Sequence, residues 1–407
     1  MELITGGDFK RMVAGAYSEF LLEYEAINQL DGAGELPGTH ILRTLGSSIM
    51  PLADTKDDSI GGLSRRIATA AVFGARGNAG VVLSQLFQGI ARGLQSKYEA
   101  TSSEFGKAFQ YGIIHAERVL SEIPQHHSFI DAAKLAAKNA HRAVRDELPI
   151  PEILLAALNA GKKIFSDANP EDAGAKIMFT FLSGCLKGLD GNFVSPAVSL
   201  SLGLGNHENM PDPRDDVVKP YCIMLRIKKS KANVDELEEQ LQEFGNFALV
   251  TRKGSSVEVH IHTDHVGKIM EQAVGWGALR DIRIINMSES HALGVRDALM
   301  PVAALAVASD KDVAKKLQDA GAQILISGAK KSRPSVAELV SAAHSDLAAS
   351  YVLVSSSQND RLVFLQAKKL LGSRVELVLT NSDDEAIESL KKFSVTKSAE
   401  ENARSMI

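Results

Sequence analysis

Cysteine and tryptophan are scarce in this chain, which has two cysteines and one tryptophan among its 407 residues. Two cysteines, Cys185 and Cys222, cannot build a disulfide framework, and a chain of this length buries enough apolar surface to fold without one. We therefore expect a protein of a reducing compartment, the cytoplasm.

An excess of basic charge is also missing, because 45 Lys and Arg residues stand against 50 Asp and Glu residues. Such a balance offers no diffuse positive field for a phosphate backbone or an anionic membrane, so we expect no nucleic acid partner. No segment approaches the roughly 20 apolar residues of a membrane-spanning helix, and the N-terminus lacks the apolar core of a secretory signal. The composition, 45% hydrophobic and 23% charged, is that of a globular chain of two or three domains.

The first half of the chain carries apolar residues at helical spacing. This pattern predicts an all-α helical-barrel domain over 1–190, and the Gly-, Pro-, Asn- and Asp-rich segment that follows predicts a linker over 191–219. The predicted helices cover residues 8–29, 40–52, 60–96 (broken near Gly74–Gly80), 102–121, 128–147, 151–167 and 173–189.

The second half changes to alternating and continuous apolar strands. A βαββαβ order predicts a ferredoxin-like middle domain over 220–292, in which the first and third strands are expected to be neighbours. Four strand-then-helix units predict a C-terminal parallel α/β domain over 300–395. The fold class is therefore multidomain α and α/β, and residues 394–407 are expected to form a partly ordered end.

His260 and His262 are the sharpest local feature, because residues two apart on a strand point to the same face. If the first and third strands are neighbours, Cys222 meets both, and a Cys-His-His set is typical of a zinc site with an open fourth position. The alternative is that Cys222 is a buried small residue and that the histidines merely decorate a strand. A zinc-dependent hydrolase with Asp264 or Glu289 as its base is a further reading.

A glycine-rich segment, GARGNAG over Gly74–Gly80, precedes a helical run. Glycines let a backbone approach a ligand closely, and N–H groups that open a helix favour an anion such as phosphate. Close helix packing through small residues is the alternative. Asp172, two residues before Gly174, has the pattern of a helix N-cap. The adjacent His126 and His127 favour a solvated helix start over a ligand pair.

Several motifs taken together resemble the ATP-binding subunit of bacterial fatty acid kinase, whose helical domain is related to the nucleotide-binding L domain of dihydroxyacetone kinase. In chain order they are Ile27-Asn28-x-Leu30, Gly38-Thr39, GARGNAGVVLSQLFQG (Gly74–Gly89), Asp172-Ala173-Gly174, Tyr221-Cys222, VEVHIHTDHVGK (Val257–Lys268) and RIINM (Arg283–Met287). Two C-terminal segments, SGAKKSRPSVAEL and SSSQND, also resemble family segments, with substantial departures.

This resemblance implies a function, a set of cofactors and a partner. It implies phosphoryl transfer from ATP to a fatty acid that is presented by a fatty-acid-binding, DegV-like protein. It also implies a zinc site near the transfer at Cys222, His260 and His262, and a DegV-like C-terminal domain used for docking or dimerisation, with a homodimer as the default. The residues it implies for ATP and magnesium binding are Gly38, Thr39, Gly77, Asn78, Gly80, Asp172 and Gly174.

One family motif is changed here. The family's magnesium loop, Pro-Asp-Gly-Asp-Thr-Gly-Thr-Asn, is replaced by a shorter loop in which the two aspartates fall on Gly34 and Leu36, and Ala79 replaces a family serine. Magnesium needs hard oxygen ligands, which Leu36 cannot supply, although Asp31 and Glu35 are near. Two hypotheses follow: an active kinase in which Asp31 or Glu35 holds magnesium, and an inactive relative that binds a fatty-acid-carrying partner as a scaffold or regulator.

Overall fold

The computed structural model describes residues 3–32, 34–49, 59–120, 128–167, 172–191, 221–228, 233–242, 244–253, 255–286, 300–328, 333–343 and 347–407. The predicted linker after residue 191 and the His126-His127 pair lie outside these residues, as do the side chains of Cys222, His260 and His262. The chain forms two compact units, Met1–Asp216 with Asn359–Val363, and Val217–Gln358 with Phe364–Ile407.

The first unit is helical, and β1 (Leu3–Ile4) pairs in it with β2 (Ala100–Thr101) in an antiparallel ladder. No helix of the described residues is long and apolar enough to cross a membrane. The α-helices described for residues 3–191 are α1 (Gly6–Gln29), α2 (Pro37–Ile49), α3 (Ile60–Gly74), α4 (Gly77–Gly93), α5 (Ser102–Leu120), α6 (Ser128–Arg145), α7 (Ile150–Asp167) and α8 (Ala173–Leu189).

Local capping residues set where these helices begin. Thr5 and Asp8 form a capping box at α1, in which the Thr5 hydroxyl accepts the Asp8 N–H and the Asp8 carboxylate accepts the Thr5 N–H. Asp172 caps α8, because its Oδ1 accepts the N–H of Ala175 at 2.8 Å. The extended conformation of Ala75 divides α3 from α4, so the predicted break near Gly74–Gly80 is confirmed.

Helices α1 and α8 cross at very close range. A Cβ added to Gly188 would lie 2.1 Å from the Arg11 carbonyl oxygen, and one added to Gly15 would lie 2.2 Å from the Gly184 carbonyl oxygen. These approaches are shorter than a Cβ tolerates, so the two helices depend on glycine at the crossing.

An apolar cavity of about 670 Å³ lies inside the helical unit. Cys185 of α8 reaches this cavity, and burial raises the pKa of its thiol far above the ordinary range. The thiol is therefore a small apolar wall element. The other large side chains of the wall include Phe9, Phe87, Phe105, Phe109 and Phe181.

The second unit contains an antiparallel sheet with the strand order β4-β5-β3-β6. Strand β3 pairs with β5, which confirms the prediction that the first and third strands of this segment are neighbours. Alternate residues such as Ile223 and Ile261 are buried in a core with Leu237 and Ile269 from the two helices. The elements are β3 (Tyr221–Lys228), α9 (Val234–Gln242), β4 (Gly245–Lys253), β5 (Ser256–Thr263), α10 (Val266–Trp276) and β6 (Ala278–Asn286).

A parallel sheet with the order β10-β9-β7-β8 follows in the same unit. Its strand β7 is buried on both faces from Val302 to Ala308, as expected for a parallel sheet covered by helices. The elements are β7 (Met300–Ala308), α11 (Lys311–Asp319), β8 (Ile324–Ser327), α12 (Val336–Ala343), β9 (Ala348–Ser355), α13 (Arg361–Leu371), β10 (Val375–Leu379), α14 (Asp383–Leu390) and α15 (Ala399–Met406).

The C-terminal end differs from its prediction, because residues 399–406 form the ordered helix α15 rather than a partly ordered tail. Ser398 and Glu401 form a capping box that fixes the helix start. Ala403 and Met406 then pack into the core of the parallel sheet. A strand pattern was the wrong feature to look for, since a short capped helix with few buried positions is enough to order this end.

Candidate functional site

The start of α4 is the part of the helical unit best suited to an anion. Its N-cap residue, Arg76, makes no side-chain cap to the helix, and Gly77 takes the left-handed backbone conformation with φ +56°. The first N–H groups of a helix have no partner within the helix and carry the positive end of the helix dipole. An acceptor from elsewhere must therefore satisfy them.

The glycines of this segment are required by packing as well as by backbone freedom. A Cβ on Gly77 would lie 2.5 Å from Nδ1 of His40, whose side chain is fully buried, and a Cβ on Gly80 would lie 2.5 Å from Oγ1 of Thr44. The packing alternative of the sequence analysis therefore holds for both glycines. It does not compete with anion binding, which would use the main-chain N–H groups.

The start of α2 is fixed to α1 by a reciprocal pair of hydrogen bonds. Nδ2 of Asn28 donates to Oγ1 of Thr39 at 2.8 Å, and the Thr39 N–H donates to Oδ1 of Asn28 at 3.2 Å. Gly38 lies against α1, since a Cβ there would be 2.3 Å from the carbonyl oxygen of Tyr24. These contacts give Gly38 and Thr39 a structural role at the edge of the loop that precedes α2.

That loop, residues 31–36, is the one in which the resemblance places the magnesium ligands. Gly34 and Leu36 both have positive φ, +65° and +57°. Oδ2 of Asp31 accepts the Glu35 N–H at 2.5 Å, so this carboxylate closes the turn. Leu36 brings no oxygen donor in its side chain, and the described carboxylates of the loop are Asp31 and Glu35.

The acceptor on α4 comes from the segment Asn359–Val363, which belongs to the first unit. Oδ1 of Asn359 accepts the Asn78 N–H at 3.2 Å, and Nδ2 of Asn359 donates to Oε2 of Glu35 at 3.0 Å. In the other direction, Oδ1 of Asn78 accepts the Leu362 N–H at 3.2 Å. One side-chain amide thus joins the glycine-rich segment to the acidic loop.

The predicted metal residues lie on two paired strands. Cys222 of β3 is directly opposite His262 of β5, and His260 is opposite Met224. The positions alternate with Ile223 and Ile261, which are buried toward the helices. Their side chains lie outside the described residues, so the metal site stays a prediction.

The predicted site residues therefore fall into three groups. Gly38, Thr39, Gly77, Asn78 and Gly80 belong to the starts of α2 and α4 within the helical unit. Asp172 and Gly174 lie at the start of α8, where the described contact of Asp172 is that of a helix cap. Cys222, His260 and His262 belong to the second unit.

Two residues of this site were not found from the sequence. His40 follows Gly38-Thr39 directly, where the family motif has asparagine, and only its burial against Gly77 indicates its role. Asn359 stands in the SSSQND segment, which resembled a family motif without any indication of its contacts. It is 281 positions from Asn78, and no periodicity or spacing connects two such positions.

Comparison with known families gives matches along most of the chain. The DAK2 domain matches residues 37–187, the middle domain of FakA-like fatty acid kinase matches 219–293, and the C-terminal domain of FakA-like fatty acid kinase matches 303–407. Protein YloV of Bacillus subtilis is 25% identical, with 99% of this chain and 79% of YloV covered. An uncharacterized protein of Staphylococcus epidermidis is also 25% identical, with 91% and 72% covered.

Proposed function

This chain belongs to the FakA-like fatty acid kinase family, and we propose that it binds ATP at the start of α4 and passes the terminal phosphoryl group to a fatty acid. The acid is presented by a separate fatty-acid-binding, DegV-like protein. The observation that carries this proposal is the α4 start, where Arg76 makes no side-chain cap and Gly77 has φ +56°. Main-chain N–H groups in this arrangement suit a phosphate.

The proposed reaction forms one bond and breaks one. A carboxylate oxygen of the fatty acid bonds to the terminal phosphorus of ATP while the bond from that phosphorus to the bridging oxygen breaks, giving an acyl phosphate and ADP. The transferring group spreads negative charge over its oxygens, so positioning and electrostatic stabilisation supply most of the catalysis. In this chain the N–H groups of Gly77 and Asn78 would hold the phosphates in place.

The described side chains suit one magnesium ion better than two. Magnesium is commonly held by one or two carboxylates together with substrate phosphates, and Asp31 and Glu35 are carboxylates of this kind. The resemblance implies two ions on two aspartates, and those positions are Gly34 and Leu36 here. A bound magnesium ion would supply charge neutralisation at the phosphates. The same loop favours a second candidate function, a non-catalytic scaffold or regulator that still binds the fatty-acid-carrying partner.

The experiment that separates these two functions is titration calorimetry of the full chain with ATP, with and without magnesium. We expect magnesium-dependent binding, followed by phosphate transfer to the fatty acid when a fatty-acid-loaded DegV-like protein is added. Binding of the partner without detectable binding of ATP at millimolar concentration would support the scaffold instead. An Asp31→Asn/Glu35→Gln double variant is the control, and it should lose the magnesium dependence.

Cys222, His260 and His262 are proposed as the ligands of a zinc ion. The pairing of β3 with β5 supports this proposal, because it puts Cys222 opposite His262. We expect His260→Ala to lose the zinc that the purified wild-type protein carries, measured by elemental analysis. His265→Ala is the matched control, since His265 lies just beyond the strand with an exposed side chain. Equal zinc in wild type and His260→Ala would contradict the site.

A further inference from the structure

The side chain of Asn359 makes both of its described hydrogen bonds to groups of the proposed nucleotide site. Its Oδ1 lies 3.2 Å from the main-chain nitrogen of Asn78, and its Nδ2 lies 3.0 Å from Oε2 of Glu35. A phosphate oxygen bound at the start of α4 would accept from the same N–H. A magnesium ion bound by the loop would use the same carboxylate. One neutral amide therefore occupies a position at which both ligands would bind.

Neighbouring contacts hold Asn359 in this place. The Leu362 N–H, in the first turn of α13, donates to Oδ1 of Asn78 at 3.2 Å. Asp360, the next residue after Asn359, is 1% exposed. The asparagine is thus presented by an anchored segment, and its bonds to the site are not those of a freely rotating surface side chain.

We propose that Asn359 closes the nucleotide site, so that a nucleotide phosphate reaches the start of α4 only when this side chain leaves. The inference rests on the proposed function, because it concerns the same site. Amide and phosphate compete for one N–H, and the charged phosphate oxygen makes the stronger hydrogen bond. The closed form is therefore the state without nucleotide, and its hydrogen bonds lower the apparent affinity for ATP.

The direct test is calorimetric titration of wild type, Asn359→Ala and Gln358→Ala with ATP and magnesium. Asn359→Ala removes both amide bonds to the site, and we expect it to bind ATP about tenfold more tightly than wild type. Gln358→Ala is the matched control, because the adjacent amide bonds to Oδ1 of Asn381 at 3.0 Å, and its affinity should equal that of wild type. Thermal unfolding of all three proteins checks that they are folded.

Hydrogen exchange gives a readout that does not depend on the affinity difference. In the absence of nucleotide, the Asn78 amide should exchange faster in Asn359→Ala than in wild type. In wild type, magnesium and ATP should slow exchange at residues 77–80 and speed it at residues 358–363. Slower exchange in both segments would mean that Asn359 completes the site, which overturns the proposal.

The outcomes distinguish this inference from the function beneath it. If wild type binds ATP and Asn359→Ala binds equally or more weakly, closure by Asn359 is wrong and nucleotide binding stands. If neither wild type nor Asn359→Ala binds ATP, both the closure and the proposed nucleotide site are wrong. Tighter binding by Asn359→Ala alone supports both.

Discussion

Gly188→Ala should destabilise the helical unit by about 3 kcal/mol or more, because the added methyl group would meet backbone rather than a movable side chain. The new Cβ would lie 2.1 Å from the carbonyl oxygen and 2.8 Å from the carbonyl carbon of Arg11. Helices α1 and α8 can relieve this overlap only by moving apart along their shared core. In a unit of this size we expect the midpoint of thermal unfolding, followed by circular dichroism, to fall by about 10 °C.

Gly106→Ala is the matched control for this substitution. Gly106 is also inside a helix, α5, but its added Cβ would come no closer than 3.7 Å to Cγ2 of Val144. Alanine is favoured over glycine in a helix interior by up to about 1 kcal/mol, so this variant should unfold at or slightly above the wild-type temperature. Equal unfolding temperatures for Gly188→Ala and wild type would contradict the close crossing of α1 and α8.

Gly77→Ala should weaken ATP binding more than tenfold and should also destabilise the helical unit by about 2 kcal/mol. Alanine is strained at φ +56°, and its methyl group would lie 2.5 Å from Nδ1 of His40. Since His40 is fully buried, the start of α4 has to shift, and its N–H groups shift with it. Calorimetric titration with ATP and magnesium measures the first effect, and thermal unfolding measures the second.

Gly191→Ala separates backbone strain from crowding. Gly191 has φ +74°, yet a Cβ there would have no neighbour within 4 Å, so this variant carries the conformational cost alone, about 1 kcal/mol. We expect its affinity for ATP to equal that of wild type. If Gly77→Ala retained wild-type affinity while Gly191→Ala behaved as expected, the start of α4 would not be the phosphate site.

Much of the site could be predicted because local chemistry determines it. The break before α4 follows from a cluster of glycines, and the cap at α8 follows from Asp172 ahead of an apolar helix. The loss of magnesium ligands could also be predicted, because Gly34 and Leu36 lack carboxylates whatever the conformation of the loop. Each of these conclusions concerns residues within one turn or one loop of each other.

The order of helices and strands was therefore set by the sequence itself, through periodicity, capping residues and glycine breaks, because these act over a few residues. Tertiary structure decided the rest. It brought Asn359 to Asn78 and Glu35, and it buried His40 against Gly77. It also gave α15 a core to pack on. Such contacts join distant segments, and no local pattern records them because their energy arises only when the packed elements bring the groups together.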